Sequence, residues 1–211
     1  MIKIGYTIYC WVVLGLGFCS FTLLGFICWP FFKHKQQGYY SLAKLHLHCL
    51  FFLTAIKVNI HDSDKLPDDN VIIAANHQSL IDIFVLMAYF PKQITFFAKK
   101  ELKKVPLLGL NMMLMGHVFV DRGSGKKSMK QLNQIKSKLL EGRTILLFPE
   151  GTRSTDGVIG DFKKGAFLLS KSAEKYIVPC YIKGSGRLLP KNSWLITNDP
   201  IDIYVGDYLN I

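Results

Sequence analysis

Two short segments hold the groups best able to move a proton and bind an anion. Asn76-His77-Gln78-Ser79-Leu80-Ile81-Asp82 follows the apolar run Val71–Ala75 and sets a histidine five residues ahead of a carboxylate. Histidine changes charge near neutral pH, and a carboxylate on one ring nitrogen fixes the tautomer that leaves the other free to accept a proton. On a single regular helix this spacing would turn the two side chains apart. With His77 in a loop and Asp82 one turn into the next helix, they can meet. On spacing alone, His77 reads equally as a base or as a structural, helix-capping histidine. The second segment, Phe148-Pro149-Glu150-Gly151-Thr152-Arg153-Ser154, presents a carboxylate, a hydroxyl and a guanidinium around a Pro/Gly turn. A guanidinium grips phosphate with two parallel N–H donors, and loop N–H groups add to it. The plainer alternative is a strand-to-loop turn with a surface Glu150–Arg153 pair.

Both segments need a scaffold that brings strand ends together. From about Val58 onward, short β-branched runs alternate with helical stretches. Strands are expected at Val71–Ala75, Ile94–Phe97, His117–Val120, Thr144–Phe148, Ile177–Ile182 and Ile201–Val205. Helices are expected at Leu80–Phe90, Leu107–Met115, Ser128–Leu140 and Gly165–Lys175. This alternation predicts an α/β domain around a largely buried sheet, with His77 and Glu150 just past strand ends. The stretch Asp62–Asn70 reads as an exposed loop.

Upstream the texture is different. Ile4–Phe32 is an uncharged run of 29 residues. As a helix rising ~1.5 Å per residue it would reach roughly 44 Å, more than the ~30 Å hydrocarbon core of a bilayer. It is too long for the apolar core of a signal peptide, and no small-residue cleavage site follows it. Tyr39–Lys57 is less purely apolar and fits an interfacial helix, or one packed on the first helix or on the α/β domain. His46 and His48 stand two apart and would not share a helix face, so no metal site is expected there.

The formal charge is +11, carried mostly by lysine. Clusters at Lys99, Lys100, Lys103, Lys104 and at Lys126, Lys127, Lys130 suit a polyanionic partner. The apolar N-terminus makes that partner a membrane surface, and no zinc-finger spacing or aromatic RNA-binding pattern points to nucleic acid. Cys10, Cys19, Cys28, Cys49 and Cys180 form no C-x-x-C pair and read as small apolar residues of a reducing compartment.

Taken together, His77–Asp82 and Phe148–Ser154 resemble the motifs of the PlsC-type 1-acylglycerol-3-phosphate acyltransferases. Gly116-His-Val-Phe-Val-Asp-Arg122 is similar to that family's intervening block, and Val178-Pro179-Cys180 to its fourth. Lys99-Lys100-Glu101-Leu102 with Pro106 and Gly109, and Phe162-Lys163-Lys164-Gly165, match its connecting segments. The resemblance covers about half of the chain, Asn76 to Cys180, and extends to the N-terminal helices only in kind. The sequence ends soon after Val205, shorter than the family pattern leads one to expect, so no substrate contact is assigned there.

The resemblance implies a glycerolipid acyltransferase-like α/β domain at 58–211, preceded by a membrane-anchoring helical segment at 1–57. It implies transfer of a fatty acyl group from acyl-CoA or acyl carrier protein to the sn-2 hydroxyl of lysophosphatidic acid, giving phosphatidic acid, with no cofactor and no metal. His77 is then the base and Asp82 its partner. Glu150, Gly151, Thr152 and Arg153 hold the acceptor, with Lys99 and Arg122 as further candidates for its phosphate. Ser79 is adjacent, but the Asp82 position is better read as serving His77. The expected location is the inner, cytoplasmic membrane with the catalytic domain on the cytoplasmic side. Rival readings are a relative acting on another lysolipid such as lyso-ornithine lipid, a hydrolase in which His77 activates water, and an inactive membrane-anchored lipid-binding protein.

Overall fold

The computed structural model describes the backbone of residues 2–120 and 126–211, and the side chains of residues 3–120 and 131–211. The uncharged run forms α1 (Ile2–Cys28), closed by a short 3-10 turn at Trp29–Phe31 where Pro30 cannot continue the helix. α2 (Lys35–Leu53) returns antiparallel beside it. The two helices approach closely because α1 offers glycines: a Cβ on Gly17 would meet Leu50 Cδ2 at 2.5 Å, and one on Gly25 the Tyr39 ring at 2.5 Å. His46 Nε2 bonds Gly17 O at 2.8 Å whereas His48 faces the Tyr89 ring, so the two histidines serve different neighbours.

Beyond the helix pair come β1 (Val58–His61), β2 (Ile72–Ala75), α3 (Ile81–Tyr89), β3 (Ile94–Lys99), α4 (Leu108–Leu114), β4 (Val118–Val120), α5 (Lys126–Leu140), β5 (Thr144–Leu147), α6 (Gly165–Ala173), β6 (Ile177–Lys183), α7 (Ser185–Leu188) and β7 (Ile201–Val205). The strands form one seven-stranded sheet in the order β1-β7-β6-β2-β5-β3-β4. The β6-β2-β5-β3-β4 part is parallel, which sets the carboxyl ends of those strands along one edge. β7 runs antiparallel to β6, and β1 parallel to β7.

The expected strands and helices all occur, with ends shifted by one or two residues. β1 and the one-turn α7 are additions: in β1, Val-Asn-Ile-His is half-polar and only partly buried, as befits a strand at the sheet edge, and Asn59 and His61 both bond Asp202. Within the expected loop 62–70, Ser63–Lys65 makes a single 3-10 turn.

The central strands are buried on both faces, which is why they are apolar without alternation. Ile73 points into the larger core beneath α2 and α3, and Ile72 into the smaller one beneath α5 and α6. The helix pair is part of the larger core. Cys10, Phe21, Tyr39, Tyr40 and Phe51 are buried in the same cluster as Val85, Ile203 and Val205. Tyr39 Oη and Thr22 Oγ1 both bond the buried Asn111 of α4, and Lys44 Nζ donates to Phe90 O at 2.7 Å. Tyr39–Lys57 is therefore largely a helix packed on the domain, not a free interfacial one.

The far side of α1 has no protein partner among the described residues. Ile4, Ile8, Val12, Leu16, Leu23 and Ile27 are all at least half exposed, and Phe31 and Phe52 are more than four-fifths exposed. Lys3–Phe31 has a mean hydropathy of 2.1, long and apolar enough to cross a membrane.

Candidate active site

β2 ends at Ala75 and the chain crosses the sheet edge before α3 begins. Asn76 makes that exit rigid: its side chain donates to Ile182 O at 3.0 Å and accepts from Ile182 N–H at 2.6 Å, prolonging the β2–β6 pairing through an amide. His77 follows in the loop and Asp82 sits in the first turn of α3, so the five-residue spacing closes as a contact. His77 Nδ1 and Asp82 Oδ2 are 2.8 Å apart.

Asp82 is fully buried. The same Oδ2 also accepts the backbone N–H groups of Gln78 and Ser79, each at 2.8 Å. Three donors and the start of a helix thus compensate a buried negative charge. Because Oδ2 can only accept, the ring hydrogen belongs on Nδ1 and the Nε2 lone pair is left for a substrate. The ring lies flat on Phe148, with centroids 3.9 Å apart and planes 13° from parallel, which fixes its second rotation.

The second motif leaves β5 and wraps around the first. Glu150 is buried, and both of its oxygens accept backbone N–H groups: His77 N–H on Oε1 at 2.8 Å and Gly160 N–H on Oε2 at 3.0 Å. Ser154 N–H donates to His77 O at 2.8 Å, so the main chain of His77 is held on both sides by one loop. Gly151 turns that loop with φ +73°, a left-handed conformation that favours glycine, and a Cβ there would press on Lys163 Nζ at 2.5 Å.

Thr152 is exposed. Arg153, one residue before the Ser154 that bonds His77 O, is half-buried, and its side chain forms no ion pair among the described residues; the expected alternative of a Glu150–Arg153 pair does not form. Its carbonyl is held by Lys191 Nζ at 2.6 Å.

Lys99 stands at the carboxyl end of β3, two strands from β2 and so roughly 10 Å across the same edge. It is exposed and 3.8 Å from Glu101. Arg122 lies outside the described residues. The sequence motifs therefore converge on one edge, with His77, Asp82, Glu150, Gly151 and Arg153 in a tight group and Lys99 at its margin. Asn76, Phe148 and Lys191 join that group without having been singled out. Phe148 stood inside a recognised motif, but nothing in its neighbours said that it would lie beneath the histidine.

A covalent nucleophile is hard to find in this arrangement. Ser79 Oγ is buried and donates to Leu189 O at 2.7 Å. Burial on β6 pushes the Cys180 thiol up to about 12, so it carries no thiolate at neutral pH. What remains is a histidine whose Nδ1 is braced by a carboxylate, on the same loop pair as an arginine that forms no ion pair among the described residues: an arrangement able to take a proton from a hydroxyl and to receive an anion.

Comparison with known proteins gives the family. A family model described as Acyltransferase matches residues 57–183. A 1-acyl-sn-glycerol-3-phosphate acyltransferase of Chlamydomonas reinhardtii is 39% identical over 136 residues, 64% of this chain and 41% of the relative. The protein of that name from Saccharomyces cerevisiae is 33% identical over 183 residues, 84% of this chain and 60% of the relative. The one from Helicobacter pylori is 33% identical over 160 residues, 75% of this chain and 66% of the relative. The chain thus spans roughly half the length of the curated relatives it matches. The crystal structure of the 1-acyl-sn-glycerophosphate (LPA) acyltransferase PlsC of Thermotoga maritima superposes with a TM-score of 0.79 at 25% identity, covering 99% of this chain and 85% of that one. The match takes in both N-terminal helices as well as the sheet. With the family model spanning more than half of its residues, the chain belongs to the acyltransferase family.

Proposed function

We propose that this protein transfers a fatty acyl group from an acyl thioester, acyl-CoA or acyl carrier protein, to the sn-2 hydroxyl of 1-acylglycerol-3-phosphate, forming phosphatidic acid. The observation that carries the reading is the pairing of His77 with a fully buried Asp82, on a loop pair that also carries an arginine without an acidic partner among the described residues.

His77 Nε2 takes the proton of the acceptor hydroxyl as its oxygen attacks the thioester carbonyl. Asp82 stabilises the imidazolium that forms. Collapse of the tetrahedral intermediate breaks the C–S bond, and the thiolate leaves with the proton that His77 returns. No acyl-enzyme is required, consistent with the committed hydroxyl of Ser79 and the neutral thiol of Cys180.

Arg153 and the Gly151–Thr152 turn hold the acceptor, with Arg153 on its phosphate and Lys99 and Arg122 as auxiliary charges. Glu150 acts on the acceptor indirectly, through the backbone of His77. Residues 58–211 carry the chemistry and 1–57 the membrane contact, a division of roles within one shared core.

The membrane contact follows from α1. Thr7 bonds Ile196 and Thr22 bonds Asn111, so two points 15 residues apart, roughly 22 Å along the helix, are fastened to the domain. A helix held in this way enters lipid by its exposed face, from the side on which the domain sits. The excess of lysine on the domain favours the anionic cytoplasmic leaflet.

A lipid product assay with purified protein, both thioester donors and several lysolipids tests the proposal. Phosphatidic acid is the expected product. Acylation of lyso-ornithine lipid with none of lysophosphatidic acid would replace the acceptor, and free fatty acid released without an acceptor would replace the reaction.

A further inference from the structure

The connection between β6 and β7, residues 184–200, meets both the catalytic loops and α1. Its first half supports the catalytic loops: Leu189 O accepts Ser79 Oγ, and Lys191 Nζ holds Arg153 O. Its second half is bound to α1. Thr7 Oγ1 bonds both the carbonyl and the N–H of Ile196, at 3.2 and 3.1 Å, and the Trp11 indole N–H donates to Trp194 O at 2.8 Å. Thr197 N–H donates to Leu188 O, which closes the connection into a loop with Trp194 and Leu195 at its far end.

Those two side chains are out of place for a water-facing loop. Trp194 is 55% exposed and Leu195 40%. The carbonyl of Trp194 is held by Trp11, itself 40% exposed, which sets this exposed pair beside the apolar face of α1. Around them the chain turns polar, with Lys191, Asn192 and Ser193 before and Asn198 and Asp199 after. A tryptophan and a leucine in a polar setting, beside a face that enters lipid, have the composition of an interfacial anchor.

We propose that Trp194 and Leu195 form a second lipid-contacting element, embedded in the bilayer interface beside α1, so that the membrane holds the same connection that supports the Ser79 and Arg153 loops. The proposal rests on the reading of α1 as lipid-embedded, and continuity with α1 is what selects a lipid surface over another occupant.

Tryptophan fluorescence separates the two claims. The purified full chain is reconstituted in phosphatidylcholine–phosphatidylglycerol vesicles with or without brominated acyl chains, beside Trp194→Phe, which keeps the backbone acceptor of Trp11. The emission difference between the two proteins reports Trp194, and the residual emission reports Trp11 and Trp29. Strong quenching of the Trp194 component, most of all by bromines placed near the headgroup, is expected. If Trp11 and Trp29 are quenched while Trp194 is untouched, α1 is embedded and the second element is overturned. If no tryptophan is quenched, both fail. Blue-shifted Trp194 emission that ignores brominated lipid but grows with protein density would assign the patch to a second copy of the chain instead. As an independent measure, Trp194→Ser/Leu195→Ser should shift the protein toward the unbound fraction in vesicle flotation by roughly ten-fold or more, with an unchanged melting temperature in detergent. Unchanged flotation would count against the element.

Discussion

Glu150 holds the main chain of His77: its Oε1 accepts the histidine's backbone N–H at 2.8 Å while Oε2 is occupied by Gly160 N–H. A carboxylate used in this way sets the position of a base without touching substrate. Glu150→Gln leaves one acceptor oxygen and turns an NH2 toward the other N–H donor. We expect kcat to fall on the order of 10²-fold, since small misplacements of a catalytic group cost about that much. The acceptor KM should change little, and the pH profile should keep its shape. Steady-state kinetics decide it: a raised acceptor KM at constant kcat would return Glu150 to direct acceptor binding.

Asp82→Asn should preserve the tautomer and still lose most of the rate. The donors Gln78 N–H and Ser79 N–H face Oδ2, so the amide oxygen is drawn to that position and the NH2 to the Oδ1 position, which has no partner among the described residues. Nδ1–H of His77 keeps an acceptor, but the imidazolium loses its counter-charge. The expected drop lies at about 10²–10⁴-fold, the range a positioned base is worth. Nitrogen-15 NMR of the labelled ring reports the tautomer. An Nε2–H form in the variant would show that the backbone donors do not select the amide orientation.

Arg153→Ala should impair use of lysophosphatidic acid far more than use of the donor, with the melting temperature unchanged, because the guanidinium forms no ion pair among the described residues that its loss would break. Arg153→Lys should recover only part, since an ammonium restores charge but not the planar, two-pronged donor. Varying each substrate in turn, beside a melting curve, distinguishes this from a bracing role. Equal damage to donor and acceptor parameters together with lower stability would move the phosphate to Lys99 or Arg122.

His117 gives the fold a pH dependence of its own. It is buried between Phe96 and Tyr40, both ring nitrogens lack partners among the described residues, and burial, aided by Arg143, lowers its pKa from 6.5 to about 3. The unfolded histidine therefore takes up a proton that the native one refuses. Stability is full above about pH 6.5 and falls as pH drops toward 3, by up to roughly 2 kcal/mol between pH 6.5 and 5. His117→Leu should flatten that slope. Urea midpoints at pH 7, 6 and 5 would show it, and parallel slopes in both proteins would refute it.

Much of this molecule is legible in its sequence because the signals are local. Val71–Ala75 and Ile177–Ile182 announce buried strands by apolar content, and the offset from His77 to Asp82 spans one loop and one helical turn. Distant pairings leave no such trace. Glu150 and His77 are 73 residues apart, and nothing in Phe-Pro-Glu-Gly says that the carboxylate turns inward to two N–H groups while the phenyl ring lies under an imidazole. Lys191 is one of 22 lysines until the fold brings it to Arg153 O. β1 escaped for the opposite reason: an edge strand is half-polar and looks like the loop that follows it. For the second helix packing on the domain was one of the open readings and for the first it was not foreseen, since hydropathy records the aversion of a face to water and not what covers it.

The shared core of helix pair and sheet has a consequence for how the protein is made. Cys10 and Phe21 of α1 are packed in the same cluster as Ile203 and Val205 of β7, and Thr7 waits for Ile196. On the ribosome α1 emerges long before β7 exists, so its apolar surface is without its final protein partners until the last strand has been synthesised. With α1 embedded in lipid as proposed above, delivery to the membrane and completion of the catalytic fold become one process.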